Sequence, residues 1–228
     1  MTTPRTTKTA LNEQFARIGK ALASPRRIEV LDLLVQGEHS VETLAAETDM
    51  SVTLTSSHLQ ALRRARLVDT RRDGPRIYYR LAGEDVFELL TAVRAVAHDR
   101  LTEVERVVRT FFGAPGELEP IGRDELVRRV RASDIVLLDL RPREEYEAGH
   151  IPGAISIPLD GLEEQLALLP PGAEIVAYCR GPYCVMAPRG IALLRRHGFR
   201  VRRLEDGVGE WRLAGLPVAA GVERGSLQ

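Results

Sequence analysis

EIVAYCRGPYCVMAPRGIALLRRHG, residues 174–198, decides the architecture of the second half of this chain. It opens on an apolar run, Ile175-Val176-Ala177-Tyr178, that is too short for a helix and shows no polar face, as a strand buried on both sides requires. The loop CRGPYC follows, and after it VMAPRGIALLRRHG carries apolar residues at helical spacing and closes on Gly198. The flanking sequence repeats this alternation: DELVRRV, IVLLDL, a stretch through AISIPL, LEEQLALL and VRRLED read as helices interleaved with short buried strands. The pattern predicts an α/β domain on a mainly parallel sheet. Ligands of such sheets gather at the carboxyl ends of strands, and Cys179 stands at one.

That loop also holds both cysteines of the chain, Cys179 and Cys184. The start, MTTPRTTKTA, lacks the apolar core of a signal peptide, and no run reaches the roughly 20 apolar residues of a membrane span. A cytoplasmic protein with no membrane partner is therefore expected. In a reducing compartment two cysteines are not a disulfide framework, so reactive chemistry is the better expectation. A loop built from Arg180, Gly181, Pro182 and Tyr183 between strand and helix can curl its backbone N–H groups toward one point. Those amides, the helix N-terminus and Arg180 would hold an anion and lower the pKa of Cys179. A thiolate fits there, and so does a persulfide, Cys-S-S⁻, which passes its outer sulfur to another thiol by nucleophilic covalent catalysis.

Two roles are open to Cys184: a second nucleophile that attacks persulfidated or oxidised Cys179, or a packing residue with a weak S–H donor. Two thiols without nearby histidines make half a tetrahedral site, so no metal and no other cofactor is expected. Asp139 and Arg141, at the end of the neighbouring strand, could orient the loop or attract an anionic donor such as thiosulfate. His150 reads as a turn-stabilising residue and not as a base.

The first half has a different period. Phe15, Ile18 and Leu22, then Ile28, Val30, Leu31 and Leu34, place two helices before residue 36, with Ser24-Pro25 as an N-cap and first helical position. Gly37 ends the second, Ser40 and Thr43 open a third with Val41, Leu44 and Ala45 on its apolar face, and Ser51 caps a fourth. In that fourth helix Leu54, His58 or Leu59, Leu62 and Leu67 are expected to face inward. LVDTRRDGPRIYYRL then reads as a β-hairpin turning at Asp73-Gly74-Pro75. Helix, tight turn, helix and basic hairpin make a winged helix. The whole chain balances 32 basic against 32 acidic residues, which by itself argues against a nucleic-acid binder. The stretch from Arg63 to Arg80, however, holds seven arginines against two aspartates, a local balance of +5.

On these residues the first half resembles the ArsR/SmtB family of dimeric bacterial repressors, carried by ASPRRIEVLDLL, SVETLAAETDMSVTLTSSHLQALRRARLV and the hairpin ending IYYRL, over roughly residues 10–110. The Ser51 helix is then expected in a major groove, where Ser51, Thr53, Ser56 and Ser57 meet bases or phosphates. Arg71, Arg72 and Arg76 of the hairpin would meet phosphates or the minor groove. The apolar positions between Glu84 and Phe112 exceed what a lone helix needs and suit a homodimer. The metal sensors known in this family are missing: ETLAAET has no thiol, and the last helix offers only His98 with Asp99 and nearby glutamates.

The second half resembles the rhodanese family in LLDLRPREEYEAGHIPGAISIP, in YCRGPYC and in GVGEWRLAGLPV, and the resemblance implies that Cys179 is the sulfur carrier. Related domains that act as phosphatases or arsenate reductases carry an arginine where this chain has Val185, which argues against both activities here.

The expectation is two domains: a mainly α winged helix-turn-helix with a β-hairpin wing over residues 1–112, a linker over 113–120, and an α/β rhodanese-like domain over 121–228. Two functions follow. In one, a homodimer on double-stranded operator DNA senses sulfane sulfur or oxidant at Cys179, from thiosulfate, polysulfide or a low-molecular-weight persulfide. In the other, the chain is a sulfurtransferase that uses the same donors, with the DNA-binding half as an appendage.

Overall fold

The computed structural model describes residues 3–112, 118–132 and 135–222. The chain divides into two compact units, Met1–Ala92 and Val93–Gln228. Most of the expected linker, residues 113–117, lies outside the described residues.

In the first unit, α1 (Pro4–Leu22) and α2 (Pro25–Gln36) lead through the short strand β1 (His39–Ser40) into α3 (Val41–Glu47) and α4 (Val52–Arg64). The starts of α3 and α4 follow from capping: the side chains of Ser40 and Ser51 accept from the N–H of Thr43 and Leu54, each at 3.2 Å. Ser24 stands at the N-cap of α2 with Pro25 behind it, yet its side chain makes no capping bond; its carbonyl accepts from Arg27 and Ile28 instead. Val30, Leu31, Leu44, Leu59 and Leu62 close the core of this unit.

One inward position of α4 differs from expectation. Leu54 faces outward and Thr55 is buried in its place, because the Thr55 hydroxyl donates to the Ser51 carbonyl at 3.0 Å and so enters the core satisfied. Antiparallel β2 (Val68–Asp73) and β3 (Arg76–Leu81) form the wing, pairing Asp73 with Arg76 across Gly74-Pro75, and β1 extends it beside β3. Then α5 (Glu84–Arg100) and α6 (Thr102–Phe112) follow.

The second unit carries a five-stranded parallel sheet in the order β4 (Pro120–Ile121), β8 (Arg200–Leu204), β7 (Glu174–Tyr178), β5 (Val136–Asp139), β6 (Ile155–Ser156). Its apolar runs divide by alternation between two cores. Leu137, Val176 and Tyr178 face one side, with Leu126 of α7 (Arg123–Ala132), Tyr146 of α8 (Arg143–Ala148) and Trp211 of α10 (Val208–Leu213). Leu138, Ile175 and Ala177 face the other, with Ile191 and Leu194 of α9 (Met186–Arg196). Burial on both faces is what made these strands read as unbroken apolar runs. LEEQLALL, residues 162–169, is not an α-helix: a 3-10 turn, Leu159–Gly161, precedes it and a second, Leu166–Leu168, lies within it, and Leu162 and Leu169 are still buried. Leu169, the residue before Pro170, is extended, and so ends the second turn.

Candidate functional site

Register builds the sulfur site. Parallel pairing of β7 with β5 and β8 sets Asp139 opposite Tyr178 and Arg203 opposite Ala177, so three strands end around Cys179. The loop from Arg180 to Val185 then turns into α9, whose first amides point back at it. Gly181 takes φ +137, and the loop backbone lies directly on Gly207: a Cβ there would come within 2.6 Å of the Arg180 carbonyl carbon and 2.7 Å of the Gly181 nitrogen.

Cys179 is 2 % exposed and Cys184 half-buried; their Sγ atoms lie 2.6 Å apart, and both thiols are free. The expected acidity is reversed between them. Burial pushes the Cys179 thiol well up, the contact with Cys184 adds to this, and the backbone N–H and charge of Arg180 only partly oppose it. The hydrogen bond from Cys179 holds Cys184 down to about 6 against its own burial, helped by the N–H groups of Arg180, Met186 and Ala187. The amides at the start of α9 are thus gathered on the second sulfur of the pair, not the first.

Arg180 points its guanidinium at the buried Glu145, with Nε 2.9 Å from Oε1 and 3.1 Å from Oε2, so its charge is largely answered there. Asp139 and Arg141 form a pair that is 0 % exposed, with Nη2 to Oδ2 at 2.6 Å and a further bond from Nη2 to the Gly149 carbonyl at 2.8 Å. That geometry braces the turn that begins at Gly149. His150 joins the same brace: it stacks on Tyr146 at 3.7 Å, and its Nδ1 lies 2.8 Å from the Tyr146 carbonyl. Tyr183 and Val185 are exposed on the loop.

Sequence reasoning missed Arg203. Its side chain, from an 8 % exposed residue, donates through Nη2 to the carbonyls of Gly181 and Pro182, and the Phe112 ring lies 4.7 Å from its Cζ. Its Nε is buried without a hydrogen-bond partner among the described residues. Burial lowers its pKa, opposed by the charges of Cys184, Glu205 and Cys179, so the site holds a cation beside the acidic sulfur. A charged residue near the carboxyl end of an otherwise buried strand, VRRLED, was the available signal.

In the first unit Ser51, Thr53 and Ser57 are exposed and Ser56 half-buried along the outer side of α4. Val52 and Leu54, 47 % and 46 % exposed, share that surface and were not anticipated. On the wing Arg72 and Arg76 are exposed, and the Arg72 Nε donates to the Gly74 carbonyl at 3.1 Å. Arg71 is tied to Glu38 at 2.8 Å and Asp73 at 3.4 Å and stacks on Tyr78.

A winged helix followed by a parallel sheet with a thiol pair at one strand end defines a two-part class, a DNA-binding regulatory fold joined to an α/β one. The rhodanese-like domain family matches residues 122–214, and the family described as bacterial regulatory protein, arsR family, matches residues 24–70. The chain is 51 % identical over 218 residues to the HTH-type transcriptional regulator Rv0324 of Mycobacterium tuberculosis, covering 96 % of each. This protein belongs to the ArsR family of transcriptional regulators and carries a rhodanese-like domain. It is also 30 % identical over 94 residues to a sulfurtransferase of Allochromatium vinosum, covering 41 % of this chain and 86 % of that one. Among solved structures, a Mycobacterium bovis fragment described as a homodimeric winged helix-turn-helix DNA-binding domain is 53 % identical, with a TM-score of 0.40, and covers 41 % of this chain and 87 % of its own. No helix among the described residues is long and apolar enough to cross a membrane.

Proposed function

We propose that this regulator binds operator DNA as a homodimer and that sulfane sulfur loaded on Cys179 alters that binding. The observation that carries the reading is the meeting of both thiols of the chain at one strand end, in a regulator whose α3 has none. Ser51, Thr53, Ser56 and Ser57 of α4 would face the major groove, with Val52 and Leu54 able to meet thymine methyl groups. Arg72 and Arg76 would approach the phosphates; Arg71 must first leave Glu38 and Asp73. Exposed Phe15, Val96, Val107 and Phe111 suit burial against a second copy, which would match half-sites related by a two-fold axis.

Thiosulfate, polysulfide or a low-molecular-weight persulfide would supply the sulfur. A coupling of about 1–3 kcal/mol between the two sites changes affinity roughly 5- to 150-fold. Gel shifts on the upstream region of its own gene test this: polysulfide shifts operator binding of the wild type and leaves Cys179→Ser unmoved. An equal response in the variant overturns the sensing reading. The alternative, a sulfurtransferase that turns over the same donors, is favoured by the likeness to the Allochromatium protein and is tested by steady-state thiocyanate production from thiosulfate and cyanide.

A further inference from the structure

An atom loaded onto Cys179 has to occupy the space beside its sulfur. Here that space is already filled by sulfur from the chain itself, the Sγ of Cys184 at 2.6 Å from that of Cys179. A disulfide needs an approach to about 2.0 Å, roughly half an ångström more. The main chain between the two is pinned as well, by Arg203 at the Gly181 and Pro182 carbonyls and by Gly207 under the Arg180–Gly181 peptide. Access favours the internal partner. Cys179 is almost fully buried and Cys184 lies against it, so the internal thiol is already in place where an outside thiol would have to enter. Well-oriented intramolecular reactions have effective molarities of roughly 10⁵ M or more, far above the millimolar range of free thiols.

We propose that Cys184 is a resolving nucleophile: it attacks sulfur-loaded Cys179, closes a Cys179–Cys184 disulfide and expels the loaded atom as hydrosulfide. The inference rests on the persulfide reading above and adds the fate of the sulfur. The Cys184 thiolate attacks the Sγ of Cys179 in line, from the side opposite the outer sulfur. The Sγ–Sγ bond forms, the bond from Cys179 Sγ to the outer sulfur breaks, and its electron pair leaves with that sulfur and the persulfide proton as HS⁻. Cys184 is oxidised by one electron and the departing sulfur is reduced by one. Two external thiols then reduce the disulfide and are themselves oxidised to a disulfide, so each cycle turns one sulfane sulfur into sulfide. The loop would register sulfur as a covalent ring and would not store it as a persulfide.

Thiosulfate separates loading from resolution, since loading Cys179 releases sulfite and only resolution releases sulfide. Full-length reduced protein, freed of reductant, is mixed with thiosulfate; sulfite and sulfide are quantified and the intact mass is taken without reduction. The expected wild-type result is sulfide equal to sulfite and a chain lighter by two hydrogens. Whatever sulfur Cys184→Ser takes up should remain as added mass with no sulfide released. Wild-type protein that releases sulfite, keeps the added sulfur and gives no sulfide overturns the resolving role while leaving the persulfide reading intact. If wild type and variant both fail to release sulfite or gain mass, and polysulfide loads neither, the persulfide reading falls and this inference falls with it.

Discussion

Iodoacetamide alkylation of the reduced protein, followed residue by residue across about pH 4 to 9, tests the assignment of the acidic thiol to Cys184. Its pKa is held down to about 6, chiefly by the Cys179 hydrogen bond, with the backbone N–H groups of Arg180, Met186 and Ala187 adding to it. At pH 7 that leaves roughly 90 % thiolate, against about 3 % for an ordinary cysteine with a pKa near 8.5, a gain of about 30-fold. Nucleophilicity falls with basicity, however, and a Brønsted slope of about 0.4–0.5 over 2.5 units takes back roughly 13-fold. The net advantage at pH 7 is only about two-fold, so the rate at one pH decides nothing. The profile does. Modification of Cys184 should rise through a midpoint near 6 and stay level above it, while Cys179, buried and pushed up, should react more slowly and keep gaining rate with pH, with no midpoint near 6. A low midpoint on Cys179, or a Cys184 midpoint near 8–9, would refute the argument that the start of α9 serves the second sulfur.

Gly207→Ala drives a Cβ into main-chain atoms of Arg180 and Gly181, which cannot rotate aside, so thermal unfolding should report a loss of about 1–3 kcal/mol together with slower sulfur loading; wild-type stability would contradict the packing. Asp139→Asn strips the carboxylate from the fully buried Arg141 and should cost about 3–5 kcal/mol, read as a lower urea midpoint. For DNA binding, Arg76→Ala should weaken affinity evenly across sequences and flatten the log–log salt dependence by about one unit; an unchanged slope in fluorescence anisotropy titrations would remove Arg76 from the phosphate contacts.

Both halves of the fold could be read in advance because their signals are local. Ser40 and Ser51 mark helix starts, Gly74-Pro75 marks the wing tip, and unbroken apolar runs such as EIVAY mark strands covered on two sides. Errors arose where a local signal met a tertiary demand. The spacing of Leu162, Leu166 and Leu169 fits a helix, but Leu169 stands before Pro170 and is extended, and turns bury Leu162 and Leu169 without one. Leu54 and Thr55 exchange sides because a satisfied hydroxyl behaves as a core residue, a property set by the preceding carbonyl and not by residue type. Which sulfur is acidic could not be read from CRGPYC at all: it depends on burial of Cys179 at the strand end and on which atom the α9 amides reach. Glu145 and Arg203, far apart in sequence, meet the loop only through the sheet register and α8.

Arg203 has a consequence of its own. A guanidinium cannot shed its proton under physiological conditions, so this site keeps a positive charge whatever happens to the sulfurs. Any reaction that turns the Cys184 thiolate into a neutral species removes the first of the negative charges that favour this cation, and leaves the buried guanidinium to Glu205 and its carbonyl acceptors. The same guanidinium donates to the Gly181 and Pro182 carbonyls and lies over the Phe112 ring of α6. A chemical event involving a few atoms is therefore felt, as a change of charge and not of bulk, by the group that lies between the loop and an aromatic side chain of α6.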